Sequence, residues 1–233
     1  CRRAAEIFRS EGDDQGLLRA SLQRVWLEFH IGDLEEAEEH AREVRRRAEA
    51  CETPHLELQA RHHLAWLHFT RGHDRRAVEC FESVLDTSLT HGYRHVSAKC
   101  LNGLGEVARF RGDAQRARHF YRRNRRASRE LDLADSVANA DLNLAQVDLM
   151  EGDFEGAAEF LERGGRRFEE SGGKSGRVHT IRTARLAWAA GTGRWSRFDD
   201  ILGQYRNGWP EDARLVMDHP WLLEMAGRYA AEA

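Results

Sequence analysis

Histidine is abundant in this chain, with 12 residues among 233, so metal coordination is the first chemistry that its residue types suggest. A zinc site requires His, Cys or carboxylate ligands at a spacing that lets them converge on one ion. His62 and His63 are adjacent and face different sides of a helix, and the chain has no HExxH or Cys-x-x-Cys motif. The spacing therefore predicts no metal site and no cofactor, and indicates structural or surface roles for the histidines.

The second candidate for chemistry is a glycine-rich stretch, SGGKSG at 171–176, which has the residue types of a phosphate-binding loop. Such a loop needs an earlier glycine where this chain has Phe168, and it follows a strand, whereas a helical pattern precedes this stretch. A Gly-x-Ser-x-Gly nucleophile motif is also absent, and the acidic residues are scattered over solvent-facing positions. The sequence thus predicts a turn at 171–176, no catalytic residues and no enzymatic activity.

The charge balance argues against two classes of partner. Lys and Arg total 36 against 39 Asp and Glu, a net charge of −3, so the chain lacks the overall basic character of a nucleic-acid-binding protein. Basic runs at 45–47 and 122–126 are interpreted as solvated helix faces. No apolar run approaches the length of a membrane span. We therefore expect neither nucleic acid nor a membrane as partner.

The cysteines and the first residues bear on cellular context. Four cysteines occur without zinc-like spacing, and Cys100 shares a 40-residue column with alanines, which indicates a small core residue. No signal peptide opens the chain, so a reducing, cytoplasmic location is favoured. The sequence begins with Cys1 rather than Met, and its first residues have the pattern of a helix interior, so we expect it to be part of a longer protein.

The tripeptide Arg111-Gly112-Asp113 could be recognised by adhesion receptors on an exposed loop, but it belongs to a phrase that recurs every 40 residues. The phrases IGDLEEAEEHA, RGHDRRAVECF, RGDAQRARHFY and EGDFEGAAEFL share a glycine column and an alanine column. The glycines are Gly32, Gly72, Gly112 and Gly152, and the alanines are Ala37, Ala77, Ala117 and Ala157. A second column of turn residues lies half a period away, at Gly12, Glu52, Gly92, Asp132 and Gly172. The tripeptide is therefore interpreted as a structural element of a repeat.

Each repeat has the pattern of two helices separated by short turns. Apolar and small residues recur at i, i+4 and i+7, and no stretch shows the alternation of a strand. The turn columns suit helix C-termini, where a left-handed residue is often needed. Asp33, Asp113 and Asp153 are predicted N-caps whose carboxylates bond free N–H groups, with His73 in the same column. The sequence predicts an all-α fold of ten or more antiparallel helices.

These residues resemble the tetratricopeptide repeat family, whose pattern is Leu-Gly, a Gly seven residues later, an Ala five further on and an aromatic residue four beyond. The third copy fits in full with Leu104-Gly105, Gly112, Ala117 and Tyr121. The early Trp and closing Pro of the family are absent, and the period is 40 rather than about 34 residues. The chain is therefore most similar to the long-repeat variety found in bacterial signalling kinases and large ATP-dependent transcription activators. The resemblance implies a right-handed superhelical solenoid of antiparallel helix pairs.

We expect a single α-solenoid domain over residues 1–233. Its predicted parts are the end of a preceding repeat (1–11), four repeats (17–51, 55–91, 94–131 and 135–171), a degenerate fifth repeat (177–206) and C-terminal helices (210–233). The last helix is predicted to run from about Pro220 towards Ala231, because Asp218 is a plausible cap and proline is tolerated in a first turn.

By the family resemblance, the first helix of each repeat lines a concave groove that binds partners. The groove positions form an aromatic end, Trp26, Phe29, Trp66 and Phe69, and a polar end, Lys99, Asn102, Arg109 and Asn139. Aromatic residues and arginine are the usual anchors of protein interfaces, and the polar end suits contacts to backbone or carboxylate groups. Whether the aromatic residues bind a partner or fill the core between repeats stays open from the sequence.

The function that this sequence favours is a protein–protein interaction scaffold, the regulatory repeat region of a larger bacterial signalling protein such as a serine/threonine kinase or a transcription regulator. The expected partner is a protein or peptide segment held in the groove. One alternative is a regulatory domain that senses a small ligand or peptide, which a deep apolar pocket would favour. Another is self-association into homo-oligomers, which a large two-fold helix contact would favour.

Overall fold

The computed structural model describes residues 2–170, 177–206 and 218–232, and within them every regular element is an α-helix. The helices are α1 (Arg2–Glu11), α2 (Asp14–Ile31), α3 (Leu34–Ala50), α4 (Pro54–Thr70), α5 (Asp74–Thr90), α6 (Arg94–Phe110), α7 (Ala114–Glu130), α8 (Ala134–Met150), α9 (Phe154–Glu170), α10 (Arg177–Gly191), α11 (Trp195–Arg206) and α12 (Asp218–Glu232). Helices α2, α4, α6 and α8 begin 40 residues apart, as do α3, α5, α7 and α9. The predicted all-α fold of consecutive helix pairs is confirmed.

The described turns contain a left-handed residue at the positions that the repeat predicts. In the first column, φ lies between 72° and 92° at Gly32, Gly72, Gly112 and Gly152. In the second column, Gly12 and Gly92 have φ of 70° and 74°, and the two non-glycine members, Glu52 and Asp132, have φ of 51° and 54°. Each residue ends one helix and redirects the chain into the next. The turn prediction is confirmed, and Gly172 lies outside the described residues.

The N-cap prediction is confirmed at two of its three aspartates. The Asp113 carboxylate accepts a hydrogen bond from the Arg116 N–H at 2.9 Å, and the Asp153 carboxylate accepts one from the Gly156 N–H at 2.9 Å. Asp33 occupies the cap position of α3, but its side chain makes no cap hydrogen bond, so that part of the prediction is wrong. The backbone dihedral angle ψ also differs between these caps, at 65° for Asp33 and 77° for Asp113.

Residues Cys1–Arg111 form one compact unit, which contains α1 to α6. Within it each helix packs on the next, and the first helices of neighbouring pairs also touch, α2 on α4 and α4 on α6. Small residues allow consecutive helices to pack closely, since Ala37 and Ala41 of α3 are fully buried beside Leu64 and Leu67 of α4. The unit therefore presents a wall made of α2, α4 and α6.

Residues Gly112–Ala233 form a second compact unit, which contains α7 to α12. Its core joins α8, α9 and α10 to the C-terminal helix α12, whose Leu222 and Met225 are buried. The Tyr229 hydroxyl of α12 donates to the Leu149 carbonyl at the end of α8. The buried Asp141 carboxylate of α8 lies 2.6 Å from the Arg125 guanidinium of α7. The unit is thus held by a large apolar core and by charge pairs to buried carboxylates such as Asp141.

Some predictions concern residues that the structure does not describe. The glycine-rich turn at 171–176 and the segment 207–217 lie outside the described residues, so the turn stays a prediction. The last helix, Asp218–Glu232, begins before the predicted Pro220 and extends one residue beyond the predicted Ala231. Organisation into a single domain with the stated repeat boundaries also stays a prediction.

Candidate functional site

The four predicted aromatic residues come together on the wall of the first unit. The ring of Trp26 on α2 stacks on Phe29 with centroids 6.1 Å apart, and Phe29 meets Trp66 of α4 edge-on at 6.5 Å. Trp66 meets Phe69 at 5.8 Å, and Phe69 meets Phe110 of α6 at 5.4 Å. These rings, here called the aromatic strip, are Trp26, Phe29, Trp66, Phe69 and Phe110. The strip links all three helices of the wall.

Exposure divides the aromatic strip into edges and a centre. Trp26 and Phe110 are 40% and 44% exposed. Phe29 and Trp66 are half-buried, and Phe69 is buried. Whether an aromatic residue fills the core thus differs from position to position in the strip. Phe69 fills the core, whereas Trp26 and Phe110 face solvent.

Trp66 is fixed by its neighbours on α4 and α5. Its indole N–H donates to Nε2 of the buried His62 at 3.2 Å, and both rings contact the fully buried Phe81 at 5.7 Å. Burial lowers the pKa of His62 well below its ordinary value, and the neighbouring His63 and Lys99 lower it further. The ring is therefore neutral at pH 7, which leaves Nε2 free to accept a hydrogen bond from the indole N–H.

A glycine allows Phe81 to support this arrangement from behind. A Cβ atom at Gly103 on α6 would lie only 2.4 Å from Cζ of Phe81. Real side chains do not tolerate such a distance, so Phe81 reaches its buried position only because Gly103 has no side chain. The sequence alone does not reveal this contact, since Gly103 stands outside both glycine columns.

Two histidines support the exposed edge at Trp26. The Trp26 ring lies 3.8 Å from the His30 ring and 5.9 Å from the His63 ring, measured between centroids. Burial, with Lys99 and His30 adding to it, lowers the pKa of His63 to about 4. His63 is therefore uncharged at neutral pH and extends the apolar surface beside Trp26. Among the described residues, no group of three or more His, Cys, Asp or Glu side chains is arranged to hold a metal ion.

The predicted polar residues do not form one cationic patch. Lys99 is exposed, and partial desolvation lowers its pKa. Asn102 is half-buried on the same helix, and Asn139 is half-buried on α8 in the second unit. Of the four, Lys99 is the side chain that presents charge to solvent.

Arg109 differs most from its predicted surroundings. It is only 3% exposed, its guanidinium donates to the Glu106 carboxylate at 2.6 Å, and it lies 4.6 Å above the Phe110 ring. Its charge is thus balanced within α6, and its guanidinium holds Phe110 in place. The i, i+3 spacing of Glu106 and Arg109 is the sequence signal for this pair. Phe110, which follows directly, is the member of the strip that sequence reasoning missed.

Comparison with known proteins gives matches in structure. No family model matches the chain, and no curated protein matches it in sequence. BtubC (BKLC) from P. vanneervenii superposes with a TM-score of 0.68 at 20% identity, over 90% of each chain. A Rap protein, solved in complex with Competence and Sporulation Factor, superposes with a TM-score of 0.71 at 13% identity. That match covers 91% of this chain and 61% of the Rap protein.

A third match names the repeat type. A kinesin light chain-type protein of Podosopora anserina with nearly identical TPR-like repeats superposes with a TM-score of 0.60 at 17% identity, over 82% of this chain and 93% of that one. The repeating helix pairs, the left-handed turn residues and these superpositions all indicate the same type of fold. The chain has the fold of a tetratricopeptide-like helical repeat.

Proposed function

We propose that this chain is a non-enzymatic interaction module whose aromatic strip binds a segment of a protein partner. The observation that carries the proposal is the exposure of two aromatic rings, Trp26 at 40% and Phe110 at 44%, at the two edges of one continuous strip. Clustered apolar surface of this kind marks interaction sites. The wall of α2, α4 and α6 gives the segment a path between the two edges.

The edges of the strip are pre-organised for binding. Trp26 is held by Phe29, His30 and His63. Phe110 is held by Phe69 and by the Arg109 guanidinium. A ring that is already ordered loses little side-chain entropy when a partner covers it, so more of the contact energy appears as affinity. Trp, Tyr and Arg are also the residue types that most often dominate binding energy.

The polar residues have a secondary role in this proposal. Lys99 orients the segment through its charge and contributes more to salt dependence than to affinity. Asn102 supplies hydrogen bonds to the segment, and Arg109 acts by positioning Phe110.

The fold and the composition support a proposal about the type of partner, the larger protein and the cellular compartment. A Rap protein of the same fold has been solved with Competence and Sporulation Factor, which supports binding of a protein or peptide by this chain. We place the chain in the regulatory region of a larger bacterial signalling protein, in the cytoplasm. The three described cysteines, Cys51, Cys80 and Cys100, are all free, which suits a reducing compartment. Among the described residues, no helix has the length and apolar character needed to cross a membrane.

The proposal is tested with a random peptide library displayed on phage and selected on the immobilised chain. Selected peptides are synthesised, and their affinities are measured by fluorescence anisotropy. Truncation of an interface anchor commonly costs about 2 kcal/mol, so Trp26→Ala should weaken binding by roughly thirtyfold. Lys99→Met should chiefly flatten the salt dependence.

The matched control is Trp195→Ala. Trp195 in the second unit is also 40% exposed and also contacts a phenylalanine, Phe198, at 5.8 Å. If both tryptophan variants weaken the peptides equally, or if Trp26→Ala has no effect while circular dichroism shows it folded, the strip is not the binding site. A dimer in sedimentation experiments that Trp26→Ala converts to monomer would instead assign the strip to self-association.

A further inference from the structure

Helix α7 is far more basic than its counterparts in the other repeats. Between Ala114 and Glu130 it carries seven arginines and one histidine against one glutamate. The equivalent helix α9 carries five glutamates against three arginines between Phe154 and Glu170. Since both helices occupy the same place in the 40-residue repeat, the difference is not required by the fold.

On α3 and α9, outward arginines pair with glutamates of their own helix. On α3, Arg42 pairs with Glu38 at 2.5 Å, and Arg46 pairs with Glu43. On α9, Arg166 pairs with Glu162 at 2.7 Å. These i, i+3 and i, i+4 pairs are the usual state of a solvated helix face.

Helix α7 lacks most such pairs along its outer ridge, which is the line formed by His119, Arg122, Arg126 and Arg129. Its column positions hold His119 and Arg122 where α9 has Glu159 and Glu162. The acids of α8 and of the turn after it pair with the side of α7: Arg118 pairs with Asp148 and Glu151, and Arg125 pairs with Asp141. The ridge keeps one pair, Arg126 with Glu130 at 3.1 Å. On α7, the exposed arginines for which the described residues provide no acidic partner are Arg122, Arg123 and Arg129.

The ridge has a regular geometry. His119, Arg122, Arg126 and Arg129 recur every three or four residues, so they form one line along the helix with successive members about one turn, or 5 Å, apart. An open depression of about 470 Å³ lies among Gln115, Arg118, His119, Arg122, Arg123 and Arg126. A ligand that neutralises this line must carry negative charges at about the same spacing.

We propose that the outer ridge of α7 is a second binding surface, which takes an acidic segment of a protein partner with carboxylates about one helical turn apart. A single peptide segment is about as wide as one helix and meets only the ridge. A nucleic acid duplex would place its second phosphate row about 12 Å away across the major groove. Helix α9 offers that row no matching line of unpaired positive charge, because Arg163 pairs with Glu159 and Arg166 pairs with Glu162. Charge complementarity therefore favours the acidic peptide, and the surface does not depend on the aromatic strip.

The test uses a fluorescein-labelled peptide that repeats Glu-Ala-Ala-Glu-Ala-Ala-Ala, with a glutamine version and a short DNA duplex as comparison probes. Two lost surface ion pairs correspond to about fivefold in affinity. Arg122→Gln with Arg126→Gln should therefore weaken the glutamate peptide about fivefold at low salt. Added salt should weaken the wild-type complex, because exposed charges are screened.

The control is Arg42→Gln with Arg46→Gln on α3. These residues occupy the same repeat columns and carry the same charge, but both are paired with a glutamate, whereas on α7 Arg126 is paired and Arg122 has no acidic partner among the described residues. This variant should bind the glutamate peptide as the wild type does. Equal weakening of both variants would show general electrostatic attraction, and a duplex that binds more tightly than the peptide would assign the ridge to nucleic acid. Either result, or no binding of the peptide at low salt, overturns the proposal.

Discussion

At the scale of single residues, the repeat depends on backbone positions that only some residues occupy without strain. The left-handed region is open to glycine but costs other residues roughly 1–2 kcal/mol, because Cβ approaches the backbone carbonyl. Seven glycines hold such positions among the described residues, and Glu52 and Asp132 are the exceptions. Aspartate tolerates this region better than glutamate, since its short side chain can bond locally. Glu52 is therefore the most strained turn residue.

Glu52→Gly should stabilise the protein. Relief of the left-handed strain outweighs the extra freedom of glycine in the unfolded chain, and the net gain should be about 0.5–1 kcal/mol. Urea unfolding followed by circular dichroism measures the difference. Gly92→Ala, in the same column with φ of 74°, is the converse change and should destabilise the protein. A loss of stability in Glu52→Gly would mean that the glutamate side chain makes a contact worth more than the strain.

At the scale of elements, helix pairs approach each other through one column of small residues. Ala37, Ala77, Ala117 and Ala157 are all 0% exposed, as the sequence pattern predicted. On α7, Ala117 shares its buried face with Tyr121, which is also 0% exposed. The repetition of a small residue at this position every 40 residues thus reflects close packing rather than chemistry.

Ala117→Leu should destabilise the protein by about 1–3 kcal/mol, because a filled core has no room for the added methyl groups. The measurement is the midpoint of thermal unfolding. Ala50→Leu is the matched control, since Ala50 is the exposed last residue of α3, and its effect should stay within about 0.5 kcal/mol. Equal midpoints for wild type and Ala117→Leu would contradict the packing described for this column.

At the scale of the whole molecule, the buried histidines couple folding to pH. Burial lowers the pKa of both His62 and His63 in the folded chain, whereas in the unfolded chain each titrates near its ordinary value of 6.5. Below that pH the unfolded state binds more protons than the folded state. Linkage then requires stability to be full above about pH 6.5 and to fall as pH drops towards the folded pKa, which is about 4 for His63.

His63→Gln should flatten this dependence. Between pH 7 and 5 the wild type should lose about 1–3 kcal/mol of stability, and the variant should lose less, because one depressed pKa has been removed. Unfolding free energies in urea across this range provide the measurement. His91→Gln, at an exposed turn position, should leave the slope unchanged. A wild-type profile that is flat between pH 7 and 5 would contradict the neutral state assigned to these rings.

The repeat period and residue types by themselves determined the helices, their turns and the buried alanine column, because these depend on local backbone preference and on a spacing that recurs along the chain. They also predicted that Trp26, Phe29, Trp66 and Phe69 share one surface. Only the tertiary structure decided which of these rings face solvent, since exposure depends on residues far away in sequence. Phe81 and Gly103 hold the centre of the strip, and Arg109 and Phe69 hold its edge at Phe110. Likewise, Arg122 and Arg129 on the ridge of α7 have no acidic partner among the described residues because the nearby acids pair with Arg118 and Arg125 at its side, which no column of the sequence records.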